Sequence, residues 1–206
     1  SDMGPEIEKK TNFIIDQFFD DGKCEVASQL AQPLPIRVIA EALGASTDDY
    51  EFFKISSEAF TDQLSGTSTP EEHIEIAKKL VKFQQYFAER LKEKEKNPTD
   101  DILSDLATLE FEDEHDVVRK METPEQLSII QQLLVAGNAT TAHSITEAIK
   151  LLIENPDQMK LVVNDHSLIP NMIEESLRLL TPTNNMWRIA TEDTELGGVA
   201  IPAGSA

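Results

Sequence analysis

Apolar residues along this chain recur at spacings of three and four with polar residues between them, a pattern that predicts a succession of helices. Residues 5–19 carry Ile7, Phe13 or Ile14, and Phe18 at helical spacing, and Asp20-Asp21-Gly22-Lys23 ends that helix as a turn. Residues 24–27 read as a short strand or an extended link. Leu34-Pro35 precedes Ile36, Val38, Ile39 and Leu43, a short helix stopped by Gly44. Ser46-Thr47-Asp48-Asp49 predicts an N-cap for a helix reaching about Leu64. After a polar loop, Thr69 caps the next helix, Pro70 takes its first position, and Glu71 and Glu72 suit its positive end. That helix runs through Ile76, Leu80, Phe83, Phe87 and Leu91 into a lysine-rich last turn, and Asn97-Pro98 closes it.

Residues 100–109 form another short helix, and the acidic run 110–116 reads as a solvated loop. Thr123-Pro124-Glu125-Gln126 has the order of a capping box and opens the longest pattern, in which Leu127, Ile130, Leu134, Gly137, Thr141, Ile145, Ala148 and Leu152 recur. Asn155-Pro156 ends it, and residues 157–163 and 170–180 are further helices. Beyond Thr181-Pro182 the texture changes: residues 187–190 and 194–204 read as short strands joined by a glycine turn. The fold class is therefore mainly α, a helical body with a small β element near the C-terminus.

Charge and composition narrow the function. A net charge of -20 repels nucleic-acid phosphates and anionic membrane surfaces, so neither is expected as a partner. No apolar run approaches the roughly 20 residues of a membrane span, and no signal peptide opens the chain, so a cytoplasmic location is expected. The single cysteine, Cys24, forms no internal disulfide. His73, His115, His143 and His166 stand at no metal-ligand spacing with it.

Three groups of residues carry candidate chemistry. Ala136-Gly137 is a small pair in the long helix, against which something flat could lie, and Thr140 and Thr141 follow one turn later. A threonine inside a helix bonds a carbonyl three or four residues back and loosens the helix there. The competing reading is a close helix crossing with two buried threonines. Glu175 and Arg178, three apart, share a helix face that the surrounding leucines suggest is partly buried. Arg188 follows Met186-Trp187, and its planar guanidinium suits a carboxylate.

The order of these groups resembles the cytochrome P-450 family of haem-thiolate monooxygenases. Ala136-Gly137-Asn138-Ala139-Thr140-Thr141, then Glu175-x-x-Arg178, then Arg188, then Gly197-Gly198-x-x-Ile201-Pro202-x-Gly204 follow that family's sequence of motifs. Residues 33–44, Pro-Leu-Pro-Ile-Arg-Val-Ile-Ala-Glu-Ala-Leu-Gly, are similar to a segment common in its soluble bacterial members. The resemblance covers essentially the whole chain and implies one partial catalytic domain over residues 1–206.

It also implies roles. Ala136 and Gly137 would lie over the haem iron, and Thr140 would be the alcohol that helps deliver protons to dioxygen. Glu175 and Arg178 would form the core ion pair, and Arg188 would bind a haem propionate. Asn184, Asn185, Met186 and Trp187 would border a small organic substrate. Electrons would come from a ferredoxin or reductase, with haem as the cofactor. Two departures stand out. The family usually has Asp or Glu just before the first threonine, where this chain has Ala139. The axial cysteine is expected beyond Ala206, and Cys24 sits in no such context, so the isolated chain is expected to be inactive. Ala-Gly-Asn-Ala-Thr is also similar to the family branch that reduces nitric oxide with a nicotinamide cofactor. A haem-free helical interaction remnant is the alternative from another class.

Overall fold

The computed structural model describes residues 3–45, 49–183 and 188–205. Helix α1 spans Gly4–Asp16 and gives way to a 3-10 turn at Phe19–Asp21, closed by Gly22 at φ +66°. The helix thus stops earlier than its apolar spacing predicts. The strand or link expected at residues 24–27 is instead the entry to a π-helical turn, Ala27–Ala31. The Glu25 carboxylate accepts from the Ser28 hydroxyl (2.5 Å) and from the Ser28 and Ala27 amides, capping that turn from a position where an extended chain would leave them unpaired.

Helix α2 is Pro33–Ala42, α3 is Tyr50–Ser65 and α4 is Pro70–Lys96. Thr69 caps α4 as expected, and Glu72 completes a capping box: the Thr69 hydroxyl accepts from the Glu72 amide, and the Glu72 carboxylate accepts from the Thr69 amide (2.7 Å). The cap expected for α3 falls differently. Ser46, Thr47 and Asp48 lie outside the described residues, and Asp49 leaves the helix amides alone. Its carboxylate instead accepts from the Tyr86 hydroxyl (2.5 Å) and from Arg90 on α4. A longer-range donor outcompetes the local amide, and burial followed by this bond holds the Tyr86 phenol well above its usual range.

Helix α5, Ile102–Thr108, begins at Asp101, whose carboxylate accepts from the Ser104 amide at 2.8 Å. The acidic run after it is a loop only in its second half: residues 113–116 form the largely exposed turn of a hairpin, and residues 110–112 are strand. Strand β1 (Glu110–Glu112) pairs antiparallel with β2 (Val118–Lys120), Phe111 opposite Arg119. Arg119 makes this possible. It covers the Phe111 ring, donates to Asp113 (3.1 Å), and reaches both Glu125 oxygens at 2.7 and 2.8 Å. Its charge offsets the repulsion that the acidic composition suggested, and Glu125 is held down to about 2 by the Arg119 bonds and then by the Glu122 amide.

Helix α6 runs from Thr123 to Glu154, so its cap is one residue earlier than expected: Glu122 is the N-cap, and its amide donates to Glu125. Helices α7 (Pro156–Asn164) and α8 (Ile169–Leu179) follow, and the hairpin of β3 (Thr194–Leu196) and β4 (Val199–Ile201) turns through Gly197 and Gly198, both at positive φ. Residues 188–190 form no strand. Ala190 alone exchanges backbone bonds with Gly204 and Ser205.

The core lies in the N-terminal two thirds. Phe53 and Phe60 of α3 meet Phe83 and Phe87 of α4 edge-on, with centroids 5.1 and 5.8 Å apart for the pairs Phe60–Phe83 and Phe53–Phe87. Ile36, Ala40 and Leu43 of α2, Leu103 and Leu106 of α5, and Ile130 and Leu134 of α6 complete it. Beyond Ala142, Ser176 is the only described residue that is buried. Ile153, Leu161, Val163, Ile173 and Leu179 are all exposed there, an apolar surface larger than scattered single residues would give.

Candidate active site

The middle of α6 has two unlike faces. Gly137 points at α2: a β-carbon built on it would lie 2.7 Å from Ile39 Cδ1. The missing side chain therefore has a packing cause, the close approach of α2 to α6, as the competing reading of the motif proposed. That reading fails for the threonines. Thr140 is half-buried and Thr141 exposed, so neither is locked in a crossing.

Ala136 and Thr140, four residues apart, share an open face. The Thr140 hydroxyl donates to the Ala136 carbonyl at 2.6 Å, as expected of a threonine in a helix interior. Ser144 repeats the bond to the Thr140 carbonyl (3.0 Å), so consecutive turns along this stretch carry side-chain competition for their carbonyls. With its proton engaged, Thr140 still offers oxygen lone pairs outward. Beside Ala136 lies an apolar cavity of about 540 Å³ lined by Ile39, Leu43, Ile102, Ile129 and Leu133.

The next residues face α3. The Asn138 amide donates to the Ser57 hydroxyl (2.6 Å), and its buried oxygen accepts no hydrogen bond from any described residue. Ala139 and His143 line a cavity of about 220 Å³ on that side. Asn138 and Ser57 are the functional-looking residues that sequence reasoning missed. A polar residue beside Gly137 was the available signal, but its partner is 81 positions away.

Glu175 and Arg178 pair as expected, two-pronged, with both bonds at 2.7 Å. Arg178 holds the Glu175 carboxyl below its usual range. The face they share is not buried in this chain: their side chains are 55% and 66% exposed, because no described element packs over that side of α8. Arg188 is exposed. Asn184, Asn185, Met186 and Trp187 lie outside the described residues. Cys24 is exposed, ahead of the π-helical turn.

Residues 47–206 match the family model for cytochrome P-450. The chain belongs to the cytochrome P-450 family. It is 35% identical over 202 residues to the 6-deoxyerythronolide B hydroxylase of Saccharopolyspora erythraea, covering 97% of this chain and 47% of that protein. It superposes with a TM-score of 0.88 and 28% identity on P-450 BioI bound to a hexadecenoic-acid-loaded acyl carrier protein, covering 98% of this chain and 51% of that one. It superposes with a TM-score of 0.85 and 29% identity on CYP109E1 of Bacillus megaterium in complex with testosterone, covering 98% and 52%. The chain thus spans about half the length of the cytochromes P-450 it matches. The helical core with its small hairpins is this family's fold, and among the described residues no helix is long and apolar enough to cross a membrane.

The described residues fit one wall of a haem pocket. A flat, mostly apolar group needs a helix face without bulk, and Ala136 beside the apolar cavity gives one. It needs a polar handle nearby, and the Thr140 hydroxyl stands one turn on along α6, outside the cavity's lining but bonded to the Ala136 carbonyl.

Proposed function

We propose that the protein to which this chain belongs is a haem-dependent monooxygenase that inserts one oxygen atom from dioxygen into a small organic substrate. The observation that carries this reading is the Ala136–Thr140 face of α6: small, open and bearing a hydroxyl, in a chain of the cytochrome P-450 family. Haem, when bound, supplies the activation of dioxygen. The protein supplies the surroundings. Ala136 keeps the wall flat, and Gly137 lets Ile39 of α2 pack closely against the helix at the edge of the same cavity. Thr140 holds a proton at Oγ1, shared with the Ala136 carbonyl until a better acceptor arrives.

On this reading Arg188 binds a propionate and residues 184–187 border the substrate. Glu175 and Arg178 tie α8 into the part of the fold that covers the exposed apolar face of α7 and α8. On this reading the axial thiolate comes from outside these 206 residues, since the one cysteine here, Cys24, is exposed ahead of the π-helical turn and not on α6. The relatives' names, a hydroxylase and a testosterone complex among them, support oxygen insertion into organic molecules. A ferredoxin or reductase supplies the electrons.

The test is to express the whole reading frame from which the chain derives, load it with haem, and record the absorption of the reduced carbon-monoxide form. A thiolate-type band and substrate-dependent product formation with a ferredoxin and reductase are expected. A haem-free or imidazole-type protein overturns the proposal.

A further inference from the structure

The cavity between α3 and α6 is lined by neither Ala136 nor Thr140, and its lining is more apolar than polar. Ile36 of α2, Ser57 of α3 and Ala142 of α6 are its buried walls, and Ala139 stands beside them. An apolar cavity of about 150 Å³ holds one benzene ring, so one of about 220 Å³ admits a ring with a small substituent. Two polar side chains interrupt the apolar wall, Asn138 and Ser57. Asn138 Nδ2 donates to Ser57 Oγ at 2.6 Å, which uses one hydrogen of the amide and one lone pair of the hydroxyl. Two groups are left over. The Asn138 oxygen is buried and accepts from no described residue, and the Ser57 proton goes to no acceptor among them. Buried groups of this kind are costly while unmet. An acceptor and a donor thus stand at the two ends of one hydrogen bond, in a pocket otherwise suited to hydrocarbon. A carboxamide is their complement, because it presents an N–H and a carbonyl side by side. An amine leaves the Ser57 proton unmet. A carboxylate leaves the Asn138 oxygen unmet and is repelled as well, since Glu58 and Asp62 outnumber Lys54 at the rim.

We infer that this cavity is a binding site for a small neutral carboxamide carried on an apolar, ring-sized body. Asn138 Oδ1 accepts the ligand's N–H, Ser57 Oγ donates to its carbonyl, and Ile36, Ala139 and Ala142 wall the body. The acidic rim closes the site to anions. A ligand seated there bridges α3 and α6 without touching Ala136 or Thr140, so the site stands whether or not the monooxygenase reading holds.

The test is a titration with benzamide, with benzoate and benzene as controls, into the protein expressed from the whole reading frame with isotope-labelled alanine methyl groups. Where haem is present, carbon monoxide on the reduced iron keeps the probe off the metal. Saturable shifts of the Ala139 and Ala142 methyl signals are expected with benzamide. Benzoate and benzene should each bind about tenfold more weakly or worse, the first repelled and without a donor, the second leaving both polar groups unmet. Ser57→Ala removes the donor and should weaken benzamide about tenfold while leaving benzene unchanged, a difference that a damaged fold would not produce. Ala142→Leu fills the cavity and should abolish the shift at Ala139. If the leucine variant does not fold, the serine variant and the three probes decide the question. The proposal is overturned by the absence of a saturable shift with benzamide, by a control that binds as tightly as benzamide, or by a serine variant that binds benzamide as well as the parent. A haem-free protein that meets these expectations keeps the site and loses the monooxygenase reading.

Discussion

Gly44 is the position where one methyl group should cost most. It ends α2 at φ +65°, and a β-carbon there would stand 2.6 Å from Asp101 Oδ2 and 3.0 Å from Asp101 Cγ. The conformation alone costs an L-residue about 1–2 kcal/mol. The clash adds to it because the carboxylate cannot retreat. Asp101 Oδ2 accepts from Lys94 Nζ at 2.5 Å and from Thr99 Oγ1 at 2.7 Å, and Oδ1 accepts from the Ser104 amide at 2.8 Å. Turning it away forfeits at least one charge-assisted bond, about 1.5–3 kcal/mol. Gly44→Ala should therefore lose about 3–5 kcal/mol in urea unfolding followed by helical circular dichroism. Gly22 is the control, at φ +66° with nothing within 4 Å of its would-be β-carbon. Gly22→Ala should lose only the conformational part, about 1–2 kcal/mol. In an Asp101→Ala background the extra cost of Gly44→Ala should vanish, giving a coupling of about 2 kcal/mol. Equal losses for the two glycine variants, together with no coupling to Asp101, would show that the clamp yields freely and would refute the argument.

The same carboxylate sets an acid limit. Burial alone would raise the Asp101 pKa, but the bonds from Lys94, Thr99 and Ser104 outweigh it and hold the carboxyl well below the usual range. A depressed folded value contributes stability that is complete above the unfolded value of about 4 and is lost as pH falls below it. Asp101→Asn should flatten that part of the stability curve, measured by urea unfolding at a series of acid pH values. At Gly137 the opposite balance holds. The atom its β-carbon would meet is the far end of Ile39, which can rotate, and alanine regains roughly 1 kcal/mol of helix propensity. Gly137→Ala should leave stability within about 1 kcal/mol of the parent, whereas a rise or fall of several kcal/mol would show that the Ile39 contact has been misjudged.

Much of the helical frame could be read from local rules. The Thr69 cap, the apolar stripe from Ile76 to Leu91, and the glycine turn at residues 197–198 each depend on neighbours a few residues away, and each formed as read. Two of the failures share one cause, a polar side chain that preferred a partner its immediate neighbours do not show. Asp49 reads as a cap because aspartate before an apolar run usually is one, but Tyr86 and Arg90 on α4 take its carboxylate. The pairing of residues 110–112 is missed because Arg119, which bridges Asp113 and Glu125, is brought to them only when the hairpin folds back. The burial expected around Arg178 came from its leucines, yet Leu179 is half exposed, because an apolar residue beside an arginine does not by itself say which way the helix turns it.

The candidate site was legible in its residues but not in their directions. Gly137 and Thr140 stand in one motif, and a sequence invites a single explanation for both. The helix separates them. Gly137 is small because Ile39 stands behind it, while Thr140 faces outward with Ala136 and bonds backward along the helix. Asn138 and Ala139, between them, open toward α3 and meet a serine 81 positions earlier in the chain. One turn of α6 thus meets two neighbours: α2, where Ile39 packs on Gly137 at the edge of an apolar cavity beside Ala136, and α3, where Asn138 and Ala139 line a second cavity of mixed character. With 3.6 residues per turn, positions this close along the chain necessarily point in different directions around the helix.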